Sequence, residues 1–249
     1  MPNAAASPAR ARMPERIRLS HPPVEVEVRR TRGARRLTLS VGRVDGALRI
    51  TMPSAASLAE AQAFAERHSD WLAGALARRP KPLEPRAGAM LPVAGRMLEI
   101  ASLGAPRARA RIEDGKLWLP GGPEEAPARA KAWLRHHARE ALVPAAHAYA
   151  AQLGRKVTRV TLRDTRSRWG SCTSAGALNF SWRLAMAPPE VLDYVAAHEA
   201  AHLVEMNHSP AFWAVVERIL PGWQDSRNWL RDHGAELHRW KFDADAAED

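Results

Sequence analysis

Two histidines four residues apart, His198 and His202, enclose Glu199 in the string His-Glu-Ala-Ala-His. Residues four apart lie on the same face of an α-helix, so the two imidazoles can bind one metal ion together. Glu199 stands one step round the helix, where its carboxylate can reach a metal-bound water rather than the metal. His208 follows six residues after His202 and could complete the site. Three protein nitrogens and one open water position are typical of catalytic zinc, whereas structural zinc has four protein ligands. The sequence therefore predicts a zinc-dependent hydrolase.

The segment that carries this motif has the marks of a helix. It opens with Ala187-Pro188-Pro189-Glu190. Proline is tolerated in the first turn of a helix, because the N–H groups of that turn have no partner within the helix. The acidic side chain of Glu190 interacts favourably with the positive end of the helix dipole. We expect Asn207 to cap the helix in a left-handed conformation and to turn His208 back toward the metal. The alternative is a buried helix with two hydrogen-bonded histidines, but this alternative does not explain why histidine and glutamate side chains cluster on the helix. Apolar residues recur at helical spacing at Val191, Leu192, Val195, Ala196 and Leu203.

A second unusual string lies upstream of the motif. It runs Ser167-Arg168-Trp169-Gly170-Ser171-Cys172, and a Gly-x-Leu-Asn segment follows at residues 176–179. With the Pro-Pro helix start and Asn-His-Ser-Pro-x-Phe-Trp at residues 207–213, these strings resemble the YgjP-like metallopeptidases, relatives of the SprT-like and WLM families. The resemblance extends over residues 24–240. It implies a gluzincin-like fold, a zinc ion held by His198, His202 and His208, and Glu199 as the general base.

The resemblance and the residue chemistry together predict a mechanism. Zinc lowers the pKa of its bound water toward neutrality, and Glu199 takes the proton as the resulting hydroxide attacks a peptide carbonyl. Glu199 then carries that proton to the leaving amine. The oxyanion needs zinc and one further donor, for which the family arrangement offers Arg168, Tyr194 and Asn179 without ranking them. Glu205 either orients a ligating imidazole or faces solvent at the helix end.

The spacing from His198 to His208 equals that of the metzincins, which are therefore the alternative family. Metzincins have a glycine where this chain has Glu205, and they have a methionine turn beyond the third histidine. No methionine follows Met206 in this chain. The metzincin interpretation therefore fails on two counts.

Length and cysteine content limit the class of protein. The 249 residues suffice for one large domain or two small ones. No apolar run approaches the roughly 20 residues that span a membrane, so we expect no membrane partner. Cys172 is the only cysteine, so no intrachain disulfide can form and the chain fits a reducing compartment. The thiol could be a zinc ligand or reactive, but a small packed residue is favoured. We predict that Trp169 and Cys172 lie near the zinc helix without binding the metal.

The first twenty residues, 1–20, are rich in Ala, Pro and Arg and contain no apolar core of a signal peptide. An Arg-rich, acid-poor start can resemble an organellar transit peptide, but Glu15 and the prolines disfavour an amphipathic helix. The excess of arginine over lysine along the chain indicates a GC-rich bacterial coding bias instead. We expect residues 1–20 to form a disordered basic tail and the protein to be cytoplasmic.

The formal charge of +10 raises the question of a nucleic-acid partner. Strand alternation would spread the second of two basic clusters over both faces, so a solvated surface is the favoured interpretation. Nucleic-acid binding stays open, because SprT-like and WLM relatives act on proteins attached to DNA and a basic surface would hold such substrates. The first cluster is Arg29, Arg30, Arg32, Arg35 and Arg36, and the second is Arg155, Lys156, Arg159, Arg163, Arg166 and Arg168.

Two functions of different class follow from these patterns. The first is a zinc endopeptidase that acts on a protein or peptide substrate. The second is a zinc-stabilised module that binds nucleic acid or protein without catalysis. A structural zinc site has no need of an acid beside its water, so Glu199 favours the enzyme.

The remaining patterns predict an α+β fold. A β-rich part is expected over residues 21–123 and a helical, zinc-binding part over residues 124–243, and we expect the two parts to form one continuous domain over residues 21–243. A long helix over residues 124–153 is expected to be kinked or interrupted at Pro144. A strand over residues 178–182 is expected to border the cleft and to bind an extended peptide along its edge. Further strands are expected at residues 24–28, 37–41, 48–52, 93–101, 107–112, 116–119 and 157–162, with a turn at Asp45-Gly46, and further helices at residues 58–76, 210–220 and 223–240.

Three histidines of the long helix, His136, His137 and His147, are not expected to pair with an acidic residue at a metal-binding spacing, and His68 is expected on the inner side of the helix over residues 58–76. We expect them to be solvent or core-edge residues rather than ligands.

Overall fold

A computed structural model describes residues 15–42, 47–77 and 81–242 of the chain. The expected turn at Asp45-Gly46 and residues 1–14 of the expected tail lie outside these ranges. The chain divides into two units, Met1–Arg79 and Pro80–Asp249. The division lies within the proline-rich segment rather than at residue 123, because the strands that follow this segment share one apolar core with the later helices.

The first unit contains a four-stranded sheet. Its strands are β1 (Glu15–Ser20), β2 (Pro23–Thr31), β3 (Thr38–Val41) and β4 (Leu48–Pro53), in the order β1-β2-β4-β3. Strands β2 and β4 are parallel, and the other two pairs are antiparallel. Residues 15–20, which the sequence assigned to a disordered tail, form β1. Ile17 and Leu19 alternate with arginines and are buried on one face of the sheet. This alternation of apolar and polar residues is typical of a strand, but the high arginine content of the segment suggested disorder instead.

Two helices, α1 (Leu58–Arg67) and α2 (Ser69–Ala77), stand where one was expected over residues 58–76. Ser57 and Glu60 form a capping box at the start of α1. His68 ends α1 with non-helical backbone angles, and its Nδ1 lies 2.8 Å from the Phe64 carbonyl. His68 is exposed and packs on the Phe64 ring.

Ion pairs compensate part of the first basic cluster. Arg29 pairs with Glu27 at 2.9 Å and Arg30 pairs with Glu15 at 3.0 Å. Such exposed pairs contribute little to stability. They do reduce the positive charge that this face presents to a partner.

The second unit begins with another four-stranded sheet. Its strands are β5 (Met90–Val93), β6 (Arg96–Ser102), β7 (Arg111–Glu113) and β8 (Lys116–Leu119), in the order β5-β6-β8-β7. A helix α3 (Ala126–Gln152) follows. Leu91, Ile100 and Leu117 of the sheet are fully buried in the same core as Leu134 of α3. The expected α+β fold, with strands mainly in the first half and helices after them, is confirmed.

Helix α3 runs through Pro144 without interruption. Pro144 lies on the exposed face, while small buried residues recur every four positions on the opposite face and pack against the core. That packing holds the helix together although the proline removes one backbone hydrogen bond. The expected interruption at Pro144 is therefore wrong, whereas the kink that the sequence offered as the other outcome stays a prediction. The buried residues of this stripe are Ala126, Ala130, Leu134, Ala138, Leu142, Ala146 and Ala150.

The rest of the unit carries the candidate site. It contains a three-stranded sheet of β9 (Arg159–Arg163), β10 (Gly170–Cys172) and β11 (Ala177–Ser181), and a 3-10 helix over Trp182–Met186. Helices α4 (Pro189–Ala201), α5 (Pro210–Ile219) and α6 (Trp223–Leu237) follow. Across the described ranges, no helix has the length and apolar character needed to cross a bilayer.

Strand β11 lies in the middle of its sheet rather than at the edge. It pairs with β10 on one side and with β9 on the other, in the order β10-β11-β9. Its backbone groups are already used by two neighbours, so the expected addition of a peptide along residues 178–182 is excluded. The outer strand beside the site is β10.

Candidate metal centre

The end of helix α4 brings the two motif histidines together. His198 and Glu199 lie in its last turn, and His202 is its C-cap residue with helical backbone angles. The chain then turns through hydrogen bonds from Leu203 N–H to Ala200 O (3.0 Å) and from Val204 N–H to Ala201 O (3.0 Å). His198 and Glu199 thus lie within the helix, and His202 lies at its C-terminal end.

Asn207 does not form the expected left-handed cap. Among the non-glycine residues that the structure describes, only Ala94 and Asp114 have positive φ. The Asn207 side-chain oxygen instead accepts a hydrogen bond from the Ser209 N–H at 3.2 Å, and Ser209 caps α5. This Asx turn leads directly into α5, so His208 is positioned by the start of the next helix rather than by the end of α4.

Three imidazoles converge at this point. Donor atoms of His198, His202 and His208 all lie within 4.8 Å of one another, and this is the one such group of His, Cys, Asp or Glu in the described part of the chain. The Nε2 atoms of His198 and His208 are 3.0 Å apart. Three nitrogens that face a common point can hold one metal ion.

Hydrogen bonds orient two of these rings from behind. The Nδ1 of His202 lies 2.9 Å from the Glu205 carbonyl oxygen, and the Nδ1 of His198 lies 3.4 Å from the Tyr194 hydroxyl. A carbonyl can only accept, so Nδ1 of His202 carries the proton and Nε2 is left with a free lone pair. Glu205 therefore orients His202 through its backbone carbonyl.

Glu199 is buried beside the imidazoles. Its residue is 5% exposed, and its Oε2 atom is buried without a hydrogen-bond partner. Burial raises the pKa of Glu199 to about 8, against an opposing effect of the Arg168 charge. A Cβ added at Gly170 would lie 2.5 Å from both Cγ and Oε1 of Glu199. A glycine at this place in β10 thus leaves the room that the carboxylate occupies.

A cleft of about 720 Å³ opens over these residues. Arg168, Trp169 and Tyr194 line it with the histidines and Glu199, as the sequence expected for three of its candidates. Asn179 is not in the lining. Its amide donates to Ser171 Oγ at 3.3 Å, and its side-chain oxygen accepts from Arg163 Nε at 3.2 Å. Glu205 is likewise absent from the lining.

Cys172 lines the cleft but does not belong to the group of converging donors. Its Sγ lies 3.3 Å from the Thr173 carbonyl oxygen. Burial, with a smaller effect of Glu199, raises the pKa of the Cys172 thiol to about 11. Since the thiolate is the form that binds metals and attacks substrates, this environment disfavours both roles.

An aromatic wall closes one side of the centre. Phe212 of α5 stacks on His202 with ring centroids 4.5 Å apart. Trp213 of α5 and Trp223 of α6 stack at 4.4 Å and 17°. Burial raises the pKa of Tyr194 to about 12, so its hydroxyl stays protonated beside His198. The sequence named Tyr194 as a candidate and included Phe212 and Trp213 in the family string, but it did not predict that Trp213 meets Trp223, because that contact depends on how α5 packs against α6.

Trp169 is held by residues far along the chain. It packs against His238 with ring centroids 4.9 Å apart, and a Cβ added at Gly234 would lie 2.9 Å from its Cζ2. Nearby, the buried Arg183 donates to both Asp164 carboxylate oxygens at 2.7 and 3.1 Å, and to the carbonyls of Leu237 (2.9 Å) and Trp240 (3.0 Å). These contacts fix the loop before β10 against the end of α6. The one sequence signal was an arginine within the otherwise apolar run that follows β11.

His238 should make the stability of the protein depend on pH. Burial, then the Arg183 charge, lowers its pKa to about 4, whereas the unfolded chain titrates near 6.5. Above pH 6.5 the residue is neutral in both states and its contribution is fully present. As the pH falls toward 4 the unfolded state takes up the proton first, so up to about 3 kcal/mol of stability is lost. Chemical denaturation of wild type and His238→Phe between pH 7 and 4 measures this.

The variant keeps a ring against Trp169 but cannot titrate, so its stability should fall less steeply over that range. The histidines of the metal centre contribute equally to both proteins, and the difference between the two curves isolates His238. Parallel curves would show that His238 is not held neutral by its surroundings.

The histidines outside the centre have other surroundings. His136 forms an exposed pair with Glu140 at 3.2 Å, and His137 stacks on Trp133 with centroids 5.0 Å apart. His147 is exposed. None belongs to a donor cluster among the described residues.

Comparison with known proteins places this geometry in a family. The family described as "YgjP-like, metallopeptidase domain" matches residues 35–233. A comparison with curated proteins found no match. Among solved structures, the metallopeptidase zymogen abylysin of Pyrococcus abyssi is similar, with 22% identity and a TM-score of 0.29 over 41% of this chain and 90% of that one. The family match spans far more than half of the chain and contains the motif histidines, and it confirms the resemblance seen in the sequence: the chain belongs to the YgjP-like family of metallopeptidase domains.

Proposed function

We propose that this member of a metallopeptidase family is a zinc-dependent peptidase with Glu199 as its general base. The observation that carries the proposal is the convergence of three imidazole donors within 4.8 Å beside a buried carboxylate oxygen that has no partner. A buried oxygen without a partner costs free energy unless a bound group uses it. A water held at the centre would be such a group.

Zinc fits the donor set better than calcium or magnesium does. Calcium and magnesium prefer oxygen ligands, whereas zinc binds imidazole nitrogen readily. His198, His202 and His208 would hold the ion and leave one position open for water or substrate. The outward hydrogen bonds from His202 to the Glu205 carbonyl and from His198 to Tyr194 support this assignment, because ligating imidazoles usually have such partners.

Glu199 would perform the proton transfers. Bound zinc would supply Lewis acidity, which favours loss of a proton from water and polarises the scissile carbonyl. The Glu199 carboxylate accepts the proton of the attacking water and delivers it to the leaving amine. Burial makes this carboxylate a stronger base than an exposed glutamate, since its pKa is raised. The missing Cβ of Gly170 leaves the space that this carboxylate occupies, so a larger residue at this position would displace it.

Arg168 is the better candidate for stabilising the oxyanion. The Tyr194 hydroxyl lies 3.4 Å from His198 Nδ1 and is uncharged, and the Asn179 side chain is used within its sheet. Arg168 lines the cleft, and its charge acts on Glu199. A guanidinium donor at this place would stabilise negative charge as it develops on the carbonyl oxygen.

An extended peptide substrate would bind along β10. Gly170–Cys172 pairs with β11 on one side only, and all three of its residues line the cleft. The free edge of a short strand can accept a further strand through main-chain hydrogen bonds. Such binding would bring the scissile carbonyl next to Glu199, because Gly170 contacts that side chain.

Removal and return of the metal test the proposed function. The zinc-loaded protein is expected to cleave an unstructured protein such as casein. Dialysis against a chelator should abolish cleavage, and about one equivalent of zinc per chain should restore it. Magnesium should not restore it, since the donors are nitrogens. Cleavage that persists in the chelated protein would refute the proposed zinc dependence.

A further inference from the structure

Arg227 of α6 stands at the wall of the metal cleft on an aromatic platform. Its guanidinium carbon lies 4.7 Å from the ring centroid of Trp213 and 5.6 Å from that of Trp223. The two indoles stack on each other at 4.4 Å, and Tyr194 stacks on Trp223 at 6.2 Å and 13°. Tyr194 in turn contacts His198 edge to face. The guanidinium is thus held in a restricted position on a stack of rings that ends at a candidate ligand.

The charges that line the cleft are unbalanced. Three arginines line it, Arg168, Arg227 and Arg231, whereas Glu199 is the one carboxylate in the lining. Arg231 is compensated by its neighbour Asp232, to which it donates at 2.9 and 3.3 Å. Within the described ranges, neither Arg168 nor Arg227 forms an ion pair with a carboxylate. The cleft therefore presents two guanidinium groups that form no ion pair, and Arg168 is opposed by Glu199 alone.

A cation in this position opposes the binding of a metal ion. Arg227 lines the same cleft as His198, His202 and His208. Its positive charge therefore acts against a divalent cation at the centre. Packing on two indoles does not require a charge, because a methionine covers an aromatic face as well. The guanidinium thus adds a positive charge that packing on the indoles does not require, and an anion that binds in the cleft would use it.

We propose that Arg227 binds a carboxylate of the substrate, and that this enzyme selects peptides that carry a carboxylate close to the scissile bond. The proposal rests on the proposed peptidase function. A guanidinium matches a carboxylate through two parallel hydrogen bonds, and a planar fork held on stacked rings loses little freedom when it makes them. The carboxylate can belong to an acidic side chain or to the C-terminus of a peptide. The chemistry is the same, and the test separates the two sources.

Three pentapeptides of equal length supply the test. The first is N-acetylated and C-amidated, with glutamine between alanines. The second replaces the glutamine with glutamate, and the third keeps the glutamine but has a free C-terminal carboxylate. Wild type, Arg227→Gln, Arg227→Lys and the control Arg218→Gln, which changes an exposed arginine of α5 outside the cleft, are compared for kcat and KM.

Wild type should show a KM that is roughly 10- to 100-fold lower for one of the two carboxylate peptides, the gain expected of a hydrogen-bonded charge pair. Arg227→Gln should abolish that difference with kcat for the neutral peptide little changed. Arg227→Lys should keep part of it, because the charge remains and the fork is lost. Arg218→Gln should behave as wild type. If Arg227→Gln fails to fold, Arg227→Met keeps the packing on the indoles and replaces it.

Binding is measured separately in the zinc-loaded Glu199→Gln protein, which is not expected to cleave. The stacked indoles under Arg227 give a tryptophan fluorescence change when a carboxylate binds, and the further change Arg227→Gln in that background should remove it. Equal KM values for all three peptides, or a preference that survives in Arg227→Gln, would overturn the proposal. Arg227-dependent binding of a carboxylate peptide without cleavage by wild type would keep this site and refute the peptidase function instead.

Discussion

Replacement of Glu199 by glutamine is expected to lower turnover by roughly a hundredfold or more, the contribution of a positioned general base. Glutamine has nearly the same size, so it fits against Gly170, but it cannot accept the proton of the attacking water. Glu199 is not among the converging nitrogen donors, so zinc content should stay near one per chain. The melting temperature should also stay close to that of wild type, because a neutral amide is less costly to bury than a carboxylate. Casein cleavage, elemental analysis and thermal unfolding measure the three quantities.

Glu190→Gln is the matched control for this change. Glu190 lies in the first turn of the same helix, is exposed, and is absent from the cleft lining. Its loss weakens only a favourable interaction with the helix dipole, so activity should be unaffected. If Glu199→Gln cleaved casein as fast as wild type, the base would have to be sought elsewhere. If wild type cleaves nothing in a broad panel but binds nucleic acid with a steep salt dependence, the non-catalytic binding module is favoured.

Sequence patterns predicted the elements that depend on local chemistry. The double proline and Glu190 indicate the start of α4, and the structure begins this helix at Pro189. The spacing of His198, His202 and His208 was enough to bring together three donors that the structure groups within 4.8 Å. The helical spacing and the types of the ligand residues depend only on residues that are close together in the sequence, so they can be recognised from one sequence alone.

Other features depend on contacts between distant segments and could not be predicted in this way. The periodicity of residues 178–182 indicates a strand but not its neighbours, so the central position of β11 was missed. Pro144 signals a break, yet the packing of α3 against the core preserves the helix. Local propensity gave way to tertiary packing in both cases.

The surroundings of the candidate site show the same limit. His238 and Gly234 hold Trp169, although each lies more than sixty positions further along the chain. Arg227 gains its place in the cleft wall from Trp213 on another helix. The motif identifies the atoms that would hold the metal. The groups that orient the loop before β10, and the arginine that adds positive charge to the cleft, are brought to the site only by the three-dimensional fold.

Replacement of His208 by alanine is expected to remove both zinc and activity. Two imidazoles alone hold the ion poorly, and even the loss of a group behind a ligand costs 10- to 100-fold in affinity or activity, so removal of a ligand should cost roughly a hundredfold or more. His208 gives a cleaner test than His202. His202 is buried and stacks on Phe212, so its removal would also disturb packing, whereas His208 is exposed.

The metal-free forms of wild type and His208→Ala should therefore melt at similar temperatures. Addition of zinc should raise the melting temperature of wild type and leave that of the variant nearly unchanged, because only a ligand that binds the native state stabilises it. His147→Ala is the control, since His147 is an exposed histidine of the same unit outside any donor cluster in the described residues. It should bind about one zinc and cleave casein as wild type does. A full equivalent of zinc retained in His208→Ala after dialysis would show that the ion is held by another set of residues, and the ligand assignment would then be wrong.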